Sequence, residues 1–206
     1  MKILAFELSS PQGSIAWQET GAEPFSHSFP NDRKHSGLFF ENVELCLKQF
    51  GNPDRIAVGL GPGSYAGTRI AIATAVGLAA INRAPTLGVP SLCAMETEAR
   101  HYAVIGDARR GSYYFAQVRD RICFEGPLLY SEEEIKNRLV NFADPVYATE
   151  PLALFPNVTV KYPMADRVAQ IAATMPLSVD AQPLEPLYLR EPHITYPRIR
   201  QAVSPR

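Results

Sequence analysis

A glycine-rich turn between a buried strand and a thin helix constrains the fold of this chain most strongly. Residues 54–59 are apolar enough for a buried strand, the turn Gly61-Pro62-Gly63-Ser64-Tyr65-Ala66-Gly67 follows, and an alanine-rich helix is predicted from Thr68 to Asn82. Glycines expose backbone amides and a helix N-terminus carries positive potential, so such a unit favours a nearby anion. Strand, turn and helix together indicate an α/β fold.

The turn does not match the established phosphate-binding signatures. Reading G-x-x-x-x-G-K-[ST] from Gly61 places Ala66 at the second glycine, and the dinucleotide pattern G-x-G-x-x-G meets the same alanine. Ser64 lies between Pro62 and Ala66, where a nucleophile elbow needs glycines. A structural role and an anion site both stay open, and Arg69 in the first helical turn could meet a carboxylate or a phosphate.

The spacing of apolar residues predicts the other elements. Strands are expected at residues 2–8, 14–17, 24–29, 54–59, 86–89, 103–106, 113–118 and 145–148. Helices are expected at residues 35–50, 68–82, 91–101, 131–141 and 164–175, with Ser131 and Glu134 forming a capping box. The order β-β-β-α-β-α followed by a smaller copy of the same theme predicts mixed sheets flanked by helices.

The length of 206 residues exceeds the usual domain of roughly 100–200 residues and is too short for two full-sized domains. We therefore expect two small packed lobes, an N-terminal lobe at 1–102 with the glycine-rich turn and a smaller C-terminal lobe at 103–190. Residues 191–206 are predicted to be an extended basic tail, because after Pro192 it contains several arginines and no acid. Its arginines Arg198, Arg200 and Arg206 would be either solvated or in contact with RNA or a partner.

Charge and cysteine content exclude several classes of protein. The net charge of -1 provides no global field that would draw the chain onto RNA or an anionic membrane. Cys46, Cys93 and Cys123 form no C-x-x-C pair, which predicts reduced thiols in a cytoplasmic protein. The histidines lack metal-binding spacing, and no apolar run is long enough for a signal peptide or a membrane span.

Two acids follow predicted strands at the edge where open α/β sheets gather ligands. Glu7 ends the first strand, and Asp107 follows the strand at 103–106. A carboxylate pair at this edge could hold magnesium or activate a nucleophile. Two isolated loop acids are the alternative.

Three segments together resemble the bacterial TsaB (YeaZ) family. They are residues 1–10 (MKILAFELSS), 59–70 (GLGPGSYAGTRI) and 107–114 (DARRGSYY), and His35-Ser36, residues 88–92 and residues 186–190 fit the same order. The resemblance covers essentially the whole chain. It implies a two-lobed actin-like ATPase (ASKHA, ribonuclease H-like) fold, in which each lobe derives from a β-β-β-α-β-α unit.

The resemblance also implies a role in tRNA modification. The chain would be a non-catalytic subunit that pairs with a TsaD-type enzyme, and with a TsaE-type ATPase, in forming threonylcarbamoyladenosine on the adenosine next to the anticodon. Contacts with tRNA would be made mainly by these partners. The helices at 35–50 and 68–82 would pack against TsaD, giving a heterodimer, or against a second copy, giving a homodimer. The predicted interface residues are Phe39, Val43, Arg69, Ala73 and Gly77.

The resemblance further implies a degenerate nucleotide site. Its predicted members are Glu7, Ser9, Gly61, Gly63, Ser64 and Asp107. Glu7 stands where the family has aspartate, and Ala66 replaces a common threonine. Both changes remove groups that an active site of this superfamily uses around phosphate and magnesium. We expect no cofactor requirement for this chain, with ATP or ADP and magnesium left to the assembled complex, and no metal site. The alternative is a small ASKHA-type ATPase or phosphotransferase that acts on its own.

Overall fold

The computed structural model accounts for most of the chain. The residues that it describes are 1–32, 36–176 and 183–190. The predicted start of the first helix at His35 lies outside them, and so does the predicted tail at 191–206 with Arg198, Arg200 and Arg206.

Within these residues, ten strands form two five-stranded sheets. The first sheet contains β1 (Lys2–Glu7), β2 (Gln12–Glu19), β3 (Phe25–Pro30), β4 (Arg55–Gly59) and β5 (Thr86–Val89). The second contains β6 (His101–Asp107), β7 (Ser112–Arg119), β8 (Ile122–Ser131), β9 (Val146–Ala148) and β10 (Thr159–Val160). The helices are α1 (Ser36–Phe50), α2 (Tyr65–Asn82), α3 (Glu132–Leu139), α4 (Ala165–Thr174) and a 3-10 helix at Ser91–Ala94.

The two sheets have the same topology. Their strand orders are β3-β2-β1-β4-β5 and β8-β7-β6-β9-β10. In each, three antiparallel strands are followed by two that add in parallel. This arrangement confirms the predicted class of two-lobed α/β fold with mixed sheets. One difference separates the copies: α2 connects β4 to β5, whereas residues 149–158 connect β9 to β10 without a helix.

Alternation along β1 sends its side chains into two separate cores. Leu4 and Phe6 pack against α1 and α2, and Ile3 and Ala5 pack against α4 on the other face of the sheet. Helix α4 therefore covers the first sheet, although the predicted boundary assigned it to the C-terminal lobe at 103–190. A division of the chain near residue 102 therefore does not separate the two lobes, because α4 returns to pack on the first sheet.

The helix predicted over residues 91–101 is wrong. Only Ser91–Ala94 is helical, as a buried 3-10 turn, and the chain then extends so that Met95 pairs with Pro163. The Thr97 hydroxyl accepts a hydrogen bond from the Ala99 amide at 3.0 Å, a local turn that competes with helix formation. The capping box of Ser131 and Glu134 is confirmed.

Helix α2 begins three residues earlier than predicted because Ser64 caps it. The Ser64 hydroxyl accepts a hydrogen bond from the Gly67 amide at 3.2 Å. Gly67 also lets the helix lie directly on the turn after β1, since a Cβ there would stand 2.1 Å from the Leu8 carbonyl oxygen. A Cβ at Gly77 would meet no atom within 4 Å.

No helix among the described residues combines the length and the hydropathy needed to cross a bilayer.

We predict opposite effects of one added methyl group at the two glycines of α2. Gly67→Ala should lower the free energy of unfolding by about 1–3 kcal/mol, because backbone must move to relieve the clash. Gly77→Ala should raise it by up to about 1 kcal/mol through better helix propensity. Urea unfolding of both variants measures these changes. A Gly67→Ala protein as stable as wild type would contradict the close packing.

Candidate functional site

A cleft of about 1150 Å³ separates the two lobes. The first lobe lines it with residues 8–11 and 62–68, the second lobe with residues 106–109, and the C-terminal segment with residues 186–190. Of the predicted nucleotide-site residues, the cleft brings together Ser9, Gly63, Ser64 and Asp107. The other two predicted residues, Glu7 and Gly61, do not line the cleft.

Glu7 lies in the core and does not line the cleft, contrary to the prediction. It alternates along β1 with Ile3 and Ala5, so its fully buried side chain faces away from α1 and α2. Its Oε1 accepts a hydrogen bond from the Ser9 amide at 2.7 Å, and its Oε2 occupies the space that a side chain at Gly59 would need. Burial raises the pKa of Glu7, and hydrogen bonds from Ser9 and Ser91 only partly oppose this. Burial therefore makes this carboxyl harder to ionise than an exposed glutamate.

Gly61 is bound to the 3-10 helix. Its amide donates to the Ser91 hydroxyl at 2.9 Å, and the Ser91 amide donates to the Gly61 carbonyl at 2.9 Å. The Gly61 amide, which was predicted to face a phosphate, therefore already donates within the protein. It also joins the glycine-rich turn to the connection between the lobes.

The rest of the glycine-rich turn is closed against the turn after β1. The Ser64 amide donates to the Ser9 carbonyl at 2.7 Å, and a Cβ at Gly63 would lie 2.0 Å from the same oxygen. The amide of Gly67 is bound to the Ser64 hydroxyl. Several of the donors that would cradle a phosphate are thus satisfied within the protein.

Asp107 lines the cleft but is paired within its own turn. Its two carboxylate oxygens accept hydrogen bonds from the Arg109 amide at 2.6 Å and from the Arg109 guanidinium at 2.9 Å. Arg109 and Arg110 adopt left-handed backbone conformations, with φ of 65° and 56°, which make this clamp. Because Glu7 is buried elsewhere, the predicted pair of metal-binding carboxylates does not form. Across the described residues, no group of three histidine, cysteine or acidic side chains could hold a metal ion.

Comparisons with known proteins establish the family. The family model described as "TsaD: tRNA N6-adenosine threonylcarbamoyltransferase" matches residues 31–144, more than half of the chain. An uncharacterized Mycobacterium bovis protein is 32% identical over 171 residues, which cover 78% of this chain and 77% of that protein. The Escherichia coli tRNA threonylcarbamoyladenosine biosynthesis protein TsaB is 33% identical over 131 residues. The chain belongs to the TsaB (YeaZ) family.

A solved structure of the family has the same fold as this chain. YeaZ from Pseudomonas aeruginosa has the same fold, with a TM-score of 0.69 and 24% identity over 91% of this chain and 99% of that one. The match to Escherichia coli TsaB covers 58% of this chain and 55% of that protein. An uncharacterized Mycobacterium leprae protein is 34% identical over 73% of this chain, which spans 41% of its length.

The predicted interface residues of the TsaB-family chain divide between core and surface. Phe39 and Val43 are buried, and the Phe39 ring packs edge-on against Phe6 with centroids 5.2 Å apart. These two side chains hold α1 on the sheet, and their burial leaves them little surface to present to a partner. Ala73 and Gly77 lie exposed on the outer face of α2.

The outer faces of α1 and α2 carry large apolar side chains that sequence reasoning missed. Phe40 and Leu45 of α1 are 53% and 63% exposed, and Val76 and Ile81 of α2 are 51% and 80% exposed. On α1, the signal for them was the presence of apolar residues outside the stripe that predicts the buried face. These aliphatic and aromatic side chains are exposed on two helices that cover the same face of the first sheet.

We predict that replacing Glu7 by glutamine, which cannot ionise, changes how the free energy of unfolding depends on pH. The folded-state pKa is raised, so the stability contributed by the neutral carboxyl is present below its ordinary pKa of 4.5 and is lost as pH rises toward the folded value. Glu7→Gln keeps the hydrogen-bonding shape and cannot ionise. At pH 8 this variant should exceed wild type in free energy of unfolding by on the order of 1 kcal/mol or more.

Urea unfolding between pH 4.5 and 8.5 tests this expectation, with the exposed Glu23→Gln as the matched control. Parallel profiles for wild type and Glu7→Gln would show that the Glu7 carboxyl ionises normally in the folded protein.

Proposed function

We propose that this protein is a non-catalytic subunit that binds and organises a TsaD-type enzyme during formation of threonylcarbamoyladenosine on the adenosine next to the anticodon of tRNA. Membership of the TsaB family and the name of its Escherichia coli relative support this role in tRNA modification. The TsaD family model matches residues 31–144, which include α1 and α2. A partner of the TsaD family would therefore carry a related pair of helices.

The observation that carries the proposal is the exposed, uncharged outer face of α2. This helix has no charged residue after Arg69, and its exposed positions are small or aliphatic: Ala73, Val76, Gly77, Ala80 and Ile81. Small side chains let the backbone of a second helix approach closely. Phe40 and Leu45 of α1 are also exposed. Such a surface suits a partner helix and is costly to leave in water.

The state of the cleft supports a subunit without catalysis of its own. Glu7 is in the core, Asp107 is paired with Arg109, and the amides of Gly61 and Ser64 donate within the protein. Binding of ATP or ADP with magnesium is proposed for the assembled complex only. The assembly would also include a TsaE-type ATPase, would contact tRNA mainly through the partners, and would act in the cytoplasm. Without a partner, the same face would pair with a second copy of the chain.

Reconstitution with the TsaD and TsaE homologues of the source organism tests the function. The three proteins should co-purify, and modified tRNA, detected by nucleoside mass spectrometry, should fall strongly when this chain is omitted. The isolated chain should show no multiple turnover of ATP. Sustained ATP hydrolysis by the isolated chain would instead favour the ATPase or phosphotransferase.

We predict that Gly77→Leu weakens partner binding while the fold is retained. No atom lies within 4 Å of a Cβ at this position, so the leucine is accommodated in the monomer, but it would separate two closely packed helices. Affinity for the TsaD-type homologue should fall by roughly tenfold or more, measured by calorimetry. Asn137→Leu, at an exposed position on α3 in the other lobe, is the matched control. Equal binding by Gly77→Leu and Asn137→Leu would argue against this interface.

A further inference from the structure

Helix α2 carries one charged side chain, Arg69, at the start of its exposed apolar face. Arg69, Ala73 and Gly77 follow one another at intervals of four residues, so all three lie on the same side of the helix. The Arg69 side chain thus lies beside the surface proposed to receive the partner.

Tyr65 holds this arginine in place, and Tyr188 packs on Tyr65. The Arg69 guanidinium donates a hydrogen bond to the Tyr65 hydroxyl at 2.5 Å, and its Cζ lies 5.0 Å from the centre of the Tyr65 ring. Tyr188, from the C-terminal segment, packs on Tyr65 with ring centroids 5.5 Å apart. Both rings are about half exposed, at 54% and 47%. The side chain of Arg69 is therefore oriented and remains exposed.

Arg69 has no carboxylate partner within the described part of the chain. Several other arginines have one: Arg100 pairs with Asp120, Arg109 with Asp107, Arg138 with Glu125 and Arg167 with Glu98. An oriented guanidinium can donate two parallel hydrogen bonds to one carboxylate. If it were covered by an apolar partner face without such a group, its desolvation would oppose binding.

We propose that Arg69, held by Tyr65, pairs with a carboxylate that the TsaD-type partner presents at the end of its own apolar helix face. The inference rests on the proposed function and adds the chemistry of the partner to it. One charge at the end of an otherwise uncharged stripe fixes the register of the two helices, which apolar contacts alone leave open. The stripe that follows Arg69 on α2 is uncharged and apolar, which suits a helix of a protein partner better than the phosphate backbone of RNA.

Binding of the full chain to the TsaD-type homologue of the same organism tests the pairing. Arg69→Gln should weaken binding by roughly 10–100-fold, and Arg69→Glu should weaken it further. Arg69→Lys should restore part of the affinity, because it keeps the charge and loses the bidentate geometry. Tyr65→Phe, which removes only the hydroxyl that orients Arg69, should cause a smaller loss. Wild-type affinity should fall as salt rises from about 50 to 500 mM, and the affinity of Arg69→Gln should change little.

Arg119→Glu is the matched control, because Arg119 also lies over an aromatic ring, that of Phe124, and is exposed in the other lobe. Its affinity for the partner should equal that of wild type. Substituting lysine for the facing acid of the partner should weaken binding to wild type and restore binding to Arg69→Glu, which a purely structural role of Arg69 does not explain.

Three results would overturn the inference and leave the proposed function in place. The first is wild-type affinity of Arg69→Glu alongside lost affinity of Gly77→Leu. The second is an effect of Arg69→Gln on tRNA affinity without an effect on the partner. The third is loss of self-association, measured by analytical ultracentrifugation, with partner binding intact. No binding of the homologue by the wild-type chain would instead overturn the proposed function itself.

Discussion

The structure depends on the contact between the turn after β1 and the glycine-rich turn that precedes α2. Backbone meets backbone here, since the Ser64 amide binds the Ser9 carbonyl and Gly63 and Gly67 leave no room for a Cβ. Glu7 fills the space beside Gly59, and Ser91 binds Gly61 from the connection between the lobes. One small buried network therefore fixes the position of α2, closes the glycine-rich turn and ties the first lobe to the second.

That network uses groups that a phosphate site would need for its ligand. A glycine-rich turn before a helix has an intrinsic preference for anions, but an amide that already donates to a carbonyl or a hydroxyl gains less from a new acceptor. The same contacts hold α2 rigidly on the sheet. Rigidity of this helix lowers the ordering cost of binding through its outer face, which suits a protein that acts by association.

Local patterns in the sequence predict much of the fold, because spacing and capping act over a few residues. The capping box at Ser131 and the buried stripe of α1 are of this kind. The spacing of apolar residues in α1 predicts that Phe39 and Val43 lie on one face of the helix. Whether that face packs on the sheet or on a partner depends on tertiary structure, which the spacing does not determine.

The site was less predictable for the same reason. Glu7 is buried because side chains alternate between the two faces of β1 and because Gly59 has no side chain to occupy the same space. Ser91, which is far away in the sequence, contributes a hydrogen bond to the carboxylate. The pairing of Asp107 depends on left-handed conformations at two arginines, which no composition rule favours. Arg69 is a predicted interface residue, but Tyr188, which packs on the tyrosine ring that orients it, lies near the other end of the chain.

The difference between the two copies of the sheet has a consequence for stoichiometry. The duplicated topology reproduces all five strands, but the helix that carries the exposed apolar face occurs between β4 and β5 and has no equivalent between β9 and β10. A subunit with two such faces could join neighbours on both sides and extend into a filament. Because the duplication does not repeat α2, the pairing proposed through this helix would join two subunits and would not by itself extend into a filament.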